Sequence, residues 1–391
     1  MDNWSIHQDE WNFEDTIQWR RYLHMHPELS YQEKETSAFI AQKLVEFGWN
    51  VKRNVGGYGV VGTIRNGEGP VVALRADMDA LPIQDEKKCE YRSTVDNVMH
   101  ACGHDGHVAS LLSTARMLAK HKEKWSGEIR LIFQPAEEVS PGGAQAMIKE
   151  GVLKGVNAIY GVHLWSPLET GKIATRAGAM MAAVDDFSLT IHGKGGHGGI
   201  PNACVDTVVI GAAIVQQLQT IVSRNVSPLE PAVITVGSLQ AGSTQNVIAD
   251  RAKLKGTVRS FHPEVRKLLR ERLETMIEHI CAMHGATYQL DYKVGYPAVV
   301  NPVEEVERVE RVVKEIFGEE AVASTDMMMP AEDFSYYLKE VPGCFVFVGA
   351  GNREAAQFPH HHPRFDIEEI SMQYASKLLM MLALDALDTY K

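Results

Sequence analysis

Three apolar runs, each closing on a side chain that can bind a cation or move a proton, constrain this chain more than any other feature. Val71-Val-Ala-Leu-Arg-Ala76 runs into Asp77-Met-Asp79-Ala-Leu-Pro82. Glu128-Ile-Arg-Leu-Ile-Phe133 terminates in Gln134-Pro-Ala-Glu137-Glu138, and Asn157-Ala-Ile-Tyr-Gly-Val-His163 ends on a histidine. Strands this continuously apolar are covered on both faces, as in a parallel sheet between helices. Such sheets place their active sites just outside the carboxyl ends of the strands. One histidine at a strand end is ordinarily structural, and a pair of solvated turn aspartates is the plainer alternative for Asp77 and Asp79. Three such endings in succession argue for one shared site. The adjacent glutamates after Pro135 can face different sides of it, one toward a metal and one toward a water.

Between the first two runs lies Met99-His-Ala-Cys-Gly-His-Asp-Gly-His107. Thiolate and imidazole suit borderline-soft divalent ions, which makes Cys102 and His104 candidate ligands. Gly103 and Gly106 let the loop fold back toward one ion. Alone, the pair fits equally well a structural cysteine beside helix-capping groups. Apolar spacing predicts helices over 13–23, 36–47 and 108–121, and strands over 49–53 and 60–64. His24 and His26, beside Pro27, read as surface or capping groups.

From Val184 the order becomes strand 186–192, helix 204–222, strand 232–239, strand 253–260, helix 263–284 and strand 286–294. That is the βαββαβ pattern of a ferredoxin-like unit. An α/β pattern then resumes with helix 303–317, a helix opening near Ala331, strand 344–349 and helix 367–387. Three internal histidines, His360 to His362, sit between Pro359 and Pro363 ahead of that last helix and read as a functional loop. The expected fold is α/β. A central mixed, mostly parallel sheet flanked by helices takes residues 1–183 and 297–391, interrupted by a ferredoxin-like unit over 184–296.

Composition narrows the partners. A chain of 391 residues is long enough for two domains. Its net charge of −11 offers no basic balance for nucleic acid or anionic membrane. Five scattered cysteines suit a reducing compartment better than a disulfide framework. The first ten residues lack the cationic start and apolar core of a secretory leader. No run approaches the ~18 apolar residues of a membrane span. A cytoplasmic protein is expected.

Eight ordered motifs carry a resemblance. They are Arg21-Tyr-Leu-His-Met-His-Pro-Glu-Leu29, Leu74-Arg-Ala-Asp-Met-Asp-Ala-Leu-Pro82, Met99 to His107, Phe133-Gln-Pro-Ala-Glu-Glu138, Gly193-Lys-Gly-Gly-His197, Asn246-Val-Ile248, Gly256-Thr-Val-Arg259 and His361-His-Pro-Arg-Phe-Asp366. Together they resemble the aminoacylase, hippurate hydrolase and indole-acetyl-amino-acid hydrolase branch of the di-metal peptidases, over nearly the whole chain. The resemblance implies hydrolysis of the amide bond of N-acyl amino acids at two divalent ions (Zn, Mn, Co or Ni). It implies Cys102, His104, Glu138, His163 and His361 as ligands, with Cys102 a candidate bridge. The His-x-Pro pattern selects His361 over its neighbours.

It further implies Glu137 as general base, Asp79 as the residue orienting a ligand imidazole, and Asn246 with Arg259 holding the substrate carboxylate. His197 would reach the site from the partner subunit of a homodimer formed through the inserted lid. Departures from the family pattern are Pro201-Asn202, Ala249 and Val139-Ser140-Pro141. The first and last border the substrate cleft. A solvent-facing loop for His197 and a strand-edge charge for Arg259 are the plainer alternatives. Two rival functions are a dipeptidase or aminopeptidase with the same metals, and an inactive homologue that binds acyl-amino acids or metal.

Overall fold

In a computed structural model that describes residues 11–352 and 357–390, the three apolar runs become neighbouring strands of one sheet. The sheet has eight strands in the order Asn50–Val55, Gly59–Asn66, Gly127–Gln134, Val71–Asp77, Ala158–Glu169, Gly343–Gly351, Ile173–Thr175 and Val322–Ser324. The four central strands are mutually parallel, and the first two join them antiparallel, so the sheet is mixed.

Side chains alternate across a strand, and here the two faces have different jobs. Val72, Leu74 and Ala76, with Ile129, Leu131 and Phe133 and with Tyr160, Val162 and Leu164, belong to the large apolar core. The helices His104–Lys120 and Ser371–Thr389 pack into that core. The opposite parity supplies Arg75 and Asp77, Gln134, and His163. Register sets Asp77 beside Gln134, and His163 beside Phe347. Polar groups therefore collect on one face at one end of the sheet, with no apolar core residue displaced to make room for them.

Three local expectations need correction. The helix predicted from Val108 begins at His104, with Gly103 at its N-cap at φ 93°, so His104 lies in the first turn. The strand predicted to end at His163 continues to Glu169, which makes His163 an interior residue with a fixed facing. His24 is fully buried between Asp105 (2.7 Å) and Asp85 (3.2 Å), because both ring nitrogens find buried carboxylate partners, one of them shared with Arg20. Only His26 behaves as expected, exposed and bonded to its own helix through the Tyr22 carbonyl.

By contact the chain divides into two compact units. One takes the chain to Met180, Val300–Asp326 and the chain from Asp333; the other takes Met181–Val299 and Met327–Glu332. The second is a four-stranded antiparallel sheet in the order Ala232–Ala241, Arg251–Ser260, Ala183–His192 and Thr287–Val294. With the helices Thr207–Arg224 and Pro263–Met283, it has βαββαβ connectivity. Its core is largely aliphatic, with Leu189, Ile191, Ile214, Leu254 and Leu273 packed alongside Phe187. Among the described residues no helix is long and apolar enough to cross a membrane.

Candidate metal centre

The turn Pro135–Glu138 is held against its own preference. Ala136 sits at φ 52°, a left-handed conformation that costs a residue with a Cβ roughly 1–2 kcal/mol. Two carboxylates hold it there. Glu33 accepts from the Ala136 amide at 2.7 Å, and the oxygens of Asp79 accept from the amides of Glu137 and Glu138, each at 3.0 Å. The Ser30 hydroxyl donates to Asp79 at 2.6 Å. Asp79 thus aims both glutamates. Its backbone carbonyl, 2.9 Å from His104 Nδ1, orients that imidazole more closely than its carboxylate does at 3.3 Å.

Around this turn the structure gathers the expected ligating side chains. Cys102 Sγ lies 3.4 Å from His163 Nε2. Glu138 Oε1 is 3.3 Å from His361 Nε2 and 3.8 Å from His104 Nε2. Ligand atoms of His104, Glu137 and Glu138 fall within 4.8 Å of one another, as do those of Cys102, Glu138 and His361. In two of the imidazoles Nδ1 donates to a backbone carbonyl, His104 to Asp79 and His163 to Leu164 at 3.0 Å. Both therefore turn Nε2 inward, the tautomer a metal ligand requires. His104 Nε2 and Glu138 Oε1 are buried without a hydrogen-bond partner. Two inward nitrogens, a sulfur and an orphaned carboxylate oxygen, with a third imidazole beside them, fit divalent cations of intermediate softness.

The electrostatics agree with a site made for added positive charge. Burial, reinforced by Glu138, Glu137 and Asp77, pushes the Cys102 thiol well above its ordinary range. Burial opposes a charge on His104, but Asp77, Asp79 and Glu138 outweigh it and push the ring up to about 10. His163 goes the other way, held neutral by burial and by the rings of His107 and His360.

His361 reaches the site from a left-handed backbone position, φ 67°, with its amide bonded to the Ala101 carbonyl at 2.8 Å. Its neighbour His360 also faces the centre, within 4.8 Å of Cys102 and His163. It is stacked on Trp165 at 4.5 Å and packed against Phe365 at 4.6 Å. His362 turns to Phe358 and accepts from the Arg364 amide. His107 is a further buried residue with no role foreseen from the sequence. Its spacing of three from His104 on one helix was the available signal, and the rings lie 5.4 Å apart.

In the second unit, His197 and Asn246 come together. Gly196–His197 pairs antiparallel with Val247–Ile248, and the Gly198 amide donates to the Asn246 carbonyl at 2.8 Å. Both side chains are exposed. Arg259 is not with them. It pairs with Val184, whereas Arg251, at the other end of the same strand, pairs with His192. Eight residues of extended chain separate Arg251 from Arg259, about 27 Å. The loop that carries Asn246 joins this strand at its Arg251 end, away from Arg259.

A family model described as Peptidase family M20/M25/M40 matches residues 73–384. An N-acyl-L-amino acid amidohydrolase of Geobacillus stearothermophilus is 47% identical over 73% of this chain and 78% of its own. Thermostable carboxypeptidase 2 of Saccharolobus solfataricus is 40% identical over 94% of each. A Bacillus subtilis structure described as a dinuclear metal binding peptidase of the M20 family superposes with a TM-score of 0.84 at 34% identity, covering 98% of this chain and all of that one. By the extent of these matches, the chain belongs to the peptidase family M20/M25/M40.

Proposed function

We propose that this protein hydrolyses the amide bond of N-acyl amino acids, releasing a carboxylic acid and a free amino acid, at a centre of two divalent ions. The observation that carries this reading is the convergence of inward imidazole nitrogens, the Cys102 sulfur and an unpartnered Glu138 oxygen beside a second glutamate on the same turn. Cys102, His104, Glu138, His163 and His361 would hold the ions. Zn, Mn, Co and Ni all accept such a donor set. Once bound, the ions polarise the scissile carbonyl and acidify the attacking water.

Glu137 takes the proton from that water and returns it to the departing nitrogen. Asp79 keeps Glu137 in place through its amide. His197 of the partner subunit donates to the carbonyl oxygen as negative charge gathers there, an effect typically worth about 100- to 1,000-fold in rate. Arg259 and the partner subunit's Asn246 bind the α-carboxylate. Their separation within one chain supports a homodimer joined through the ferredoxin-like unit, which then serves as lid and dimerisation domain. No disulfide joins any of the five cysteines, which supports a cytoplasmic setting.

Peptide cleavage is the second reading, favoured by the carboxypeptidase among the relatives. The C-terminal residue of a peptide is itself an N-acyl amino acid, so the two readings differ only in what lies beyond the acyl carbon. A panel of N-acetyl-methionine, hippurate and a dipeptide with a free α-amine separates them. Turnover of the first two at least tenfold above the dipeptide supports the amidohydrolase. The reverse order assigns the site to peptides, and no turnover of any assigns it to binding alone.

A further inference from the structure

Beneath the proposed centre runs a buried chain of hydrogen bonds that the hydrolytic steps leave unused. Arg75 donates to Asp333 at 2.9 Å, to Gln134 at 3.0 Å and to Asp77 Oδ2 at 2.7 Å. Gln134 donates to both oxygens of Asp333 at 2.8 Å. Asp77 Oδ1 accepts from His107 Nδ1 at 2.6 Å, and His107 Nε2 accepts from the Leu164 amide at 2.9 Å. Arg75, Asp77, His107 and Asp333 have 1% or less of their surface exposed. Nature of the network matters here: Asp77, His104 and His107 stand close enough to suggest a second cation cage. The 2.6 Å contact is instead a hydrogen bond, and Arg75 already occupies the other Asp77 oxygen.

Most of these groups adjoin a proposed ligand or a residue that aims one. Leu164 follows His163, His107 lies one turn after His104, and Asp77 and Gln134 close the strands that lead into Asp79 and Glu137. The His107 ring sits between the other two, 5.4 Å from His104 and 4.6 Å from His163. A neutral imidazole with its proton on Nδ1 donates to Asp77 and accepts from Leu164 at once, from two atoms on opposite sides of one rigid ring.

We infer that Asp77 and His107 are positioning residues of the metal centre. They clamp the His163 strand to the start of the His104 helix and so set the spacing of two imidazole ligands. The inference rests on the di-metal reading above. Changing partners that orient metal ligands typically lowers metal affinity about 10- to 100-fold.

The test uses the full-length protein, stripped of metal and titrated with Co(II) against a chromophoric chelator. His107→Asn keeps a donor for Asp77, His107→Gln keeps an acceptor for Leu164, and Asp77→Asn removes the anion at nearly constant volume. Each is expected to bind Co(II) about 10- to 100-fold more weakly, with an altered Co(II) absorption spectrum and kcat lowered more than KM. Wild-type Co(II) affinity and spectrum in folded His107→Gln and Asp77→Asn would overturn the inference and leave the network a purely structural one. Should both His107 variants fail to fold, Asp77→Asn alone decides by the same two readouts. The wild-type titration separates this result from the broader reading: fewer than two Co(II) per wild-type chain would refute the di-metal site itself.

Discussion

Gly143 has a conventional φ of −81°, yet a Cβ there would stand 2.0 Å from the Pro135 carbonyl oxygen. That oxygen belongs to the turn that presents both glutamates. Gly143→Ala must therefore shift backbone at Gly143 or Pro135, and a displacement near 1 Å passed along the turn to Glu137 can cost on the order of 100-fold in rate. Steady-state kinetics should show kcat lowered at least tenfold in a folded variant; unchanged kcat would mean the turn is not rigid. Glu33, which clamps the same turn, has its carboxyl pushed up to about 7 by burial, with the charge of Asp79 nearby. Because its folded pKa is raised, protonated Glu33 favours folding at low pH, and that advantage is lost as pH rises from ~4.3 toward 7. Glu33→Gln keeps the acceptor without the charge. Its melting temperature relative to wild type should climb between pH 5 and 7 and level off above; a flat difference would contradict the assignment. Cys102, His104, Asp79, Glu137 and Glu138 were legible in the sequence because short motifs carry them. His107 was not, since its meaning depends on Asp77 and Leu164, residues 30 and 57 positions away.

Secondary elements are tied together by charge as well as by apolar contact. Arg20, from the helix Phe13–Met25, reaches Asp105 at 2.8 Å, Asp366 at 2.6 Å and Glu369 at 3.2 Å. It thereby joins the first helix to the His104 helix and to the approach to the last one. The Arg20 charge helps hold the Asp105 and Asp366 carboxyls below their ordinary range despite burial. Depressed carboxylates support folding above ~4 and lose that contribution as pH falls. Removing one member of a buried ionic cluster costs about 3–5 kcal/mol, because the remaining charges stay buried. Arg20→Leu should lower stability by that amount in urea unfolding at pH 7, and by clearly less below pH 3; an equal loss at both values would point to packing alone. Apolar periodicity located these helices but could not see this cluster, and for that reason His24 read as a surface residue. The same limit explains the late start predicted for the His104 helix, whose first turn holds polar residues and no apolar stripe.

At the scale of the molecule, the ferredoxin-like strand order was legible because six alternating elements leave few ways to pair. That Arg259 stands at the far end of its strand from Arg251 and the loop carrying Asn246 was not, since only the folded sheet shows it. On that separation rests the proposal that two chains complete each site. Mixing His197→Ala with Glu137→Gln protein, each inactive alone, should restore activity to about a quarter of wild type, because half the random dimers contain one intact site. No recovery after subunit exchange would mean that each chain supplies its own donor.

The proposed hydrolysis turns on Glu137 acting on a water within a centre that Glu138 and its neighbours hold. Measuring bound metal and kcat together for Glu137→Gln tests it most directly. Two divalent ions per chain, as in wild type, with kcat reduced about 100- to 10,000-fold is the predicted outcome. Full metal content with near-wild-type turnover of N-acetyl-methionine would contradict it.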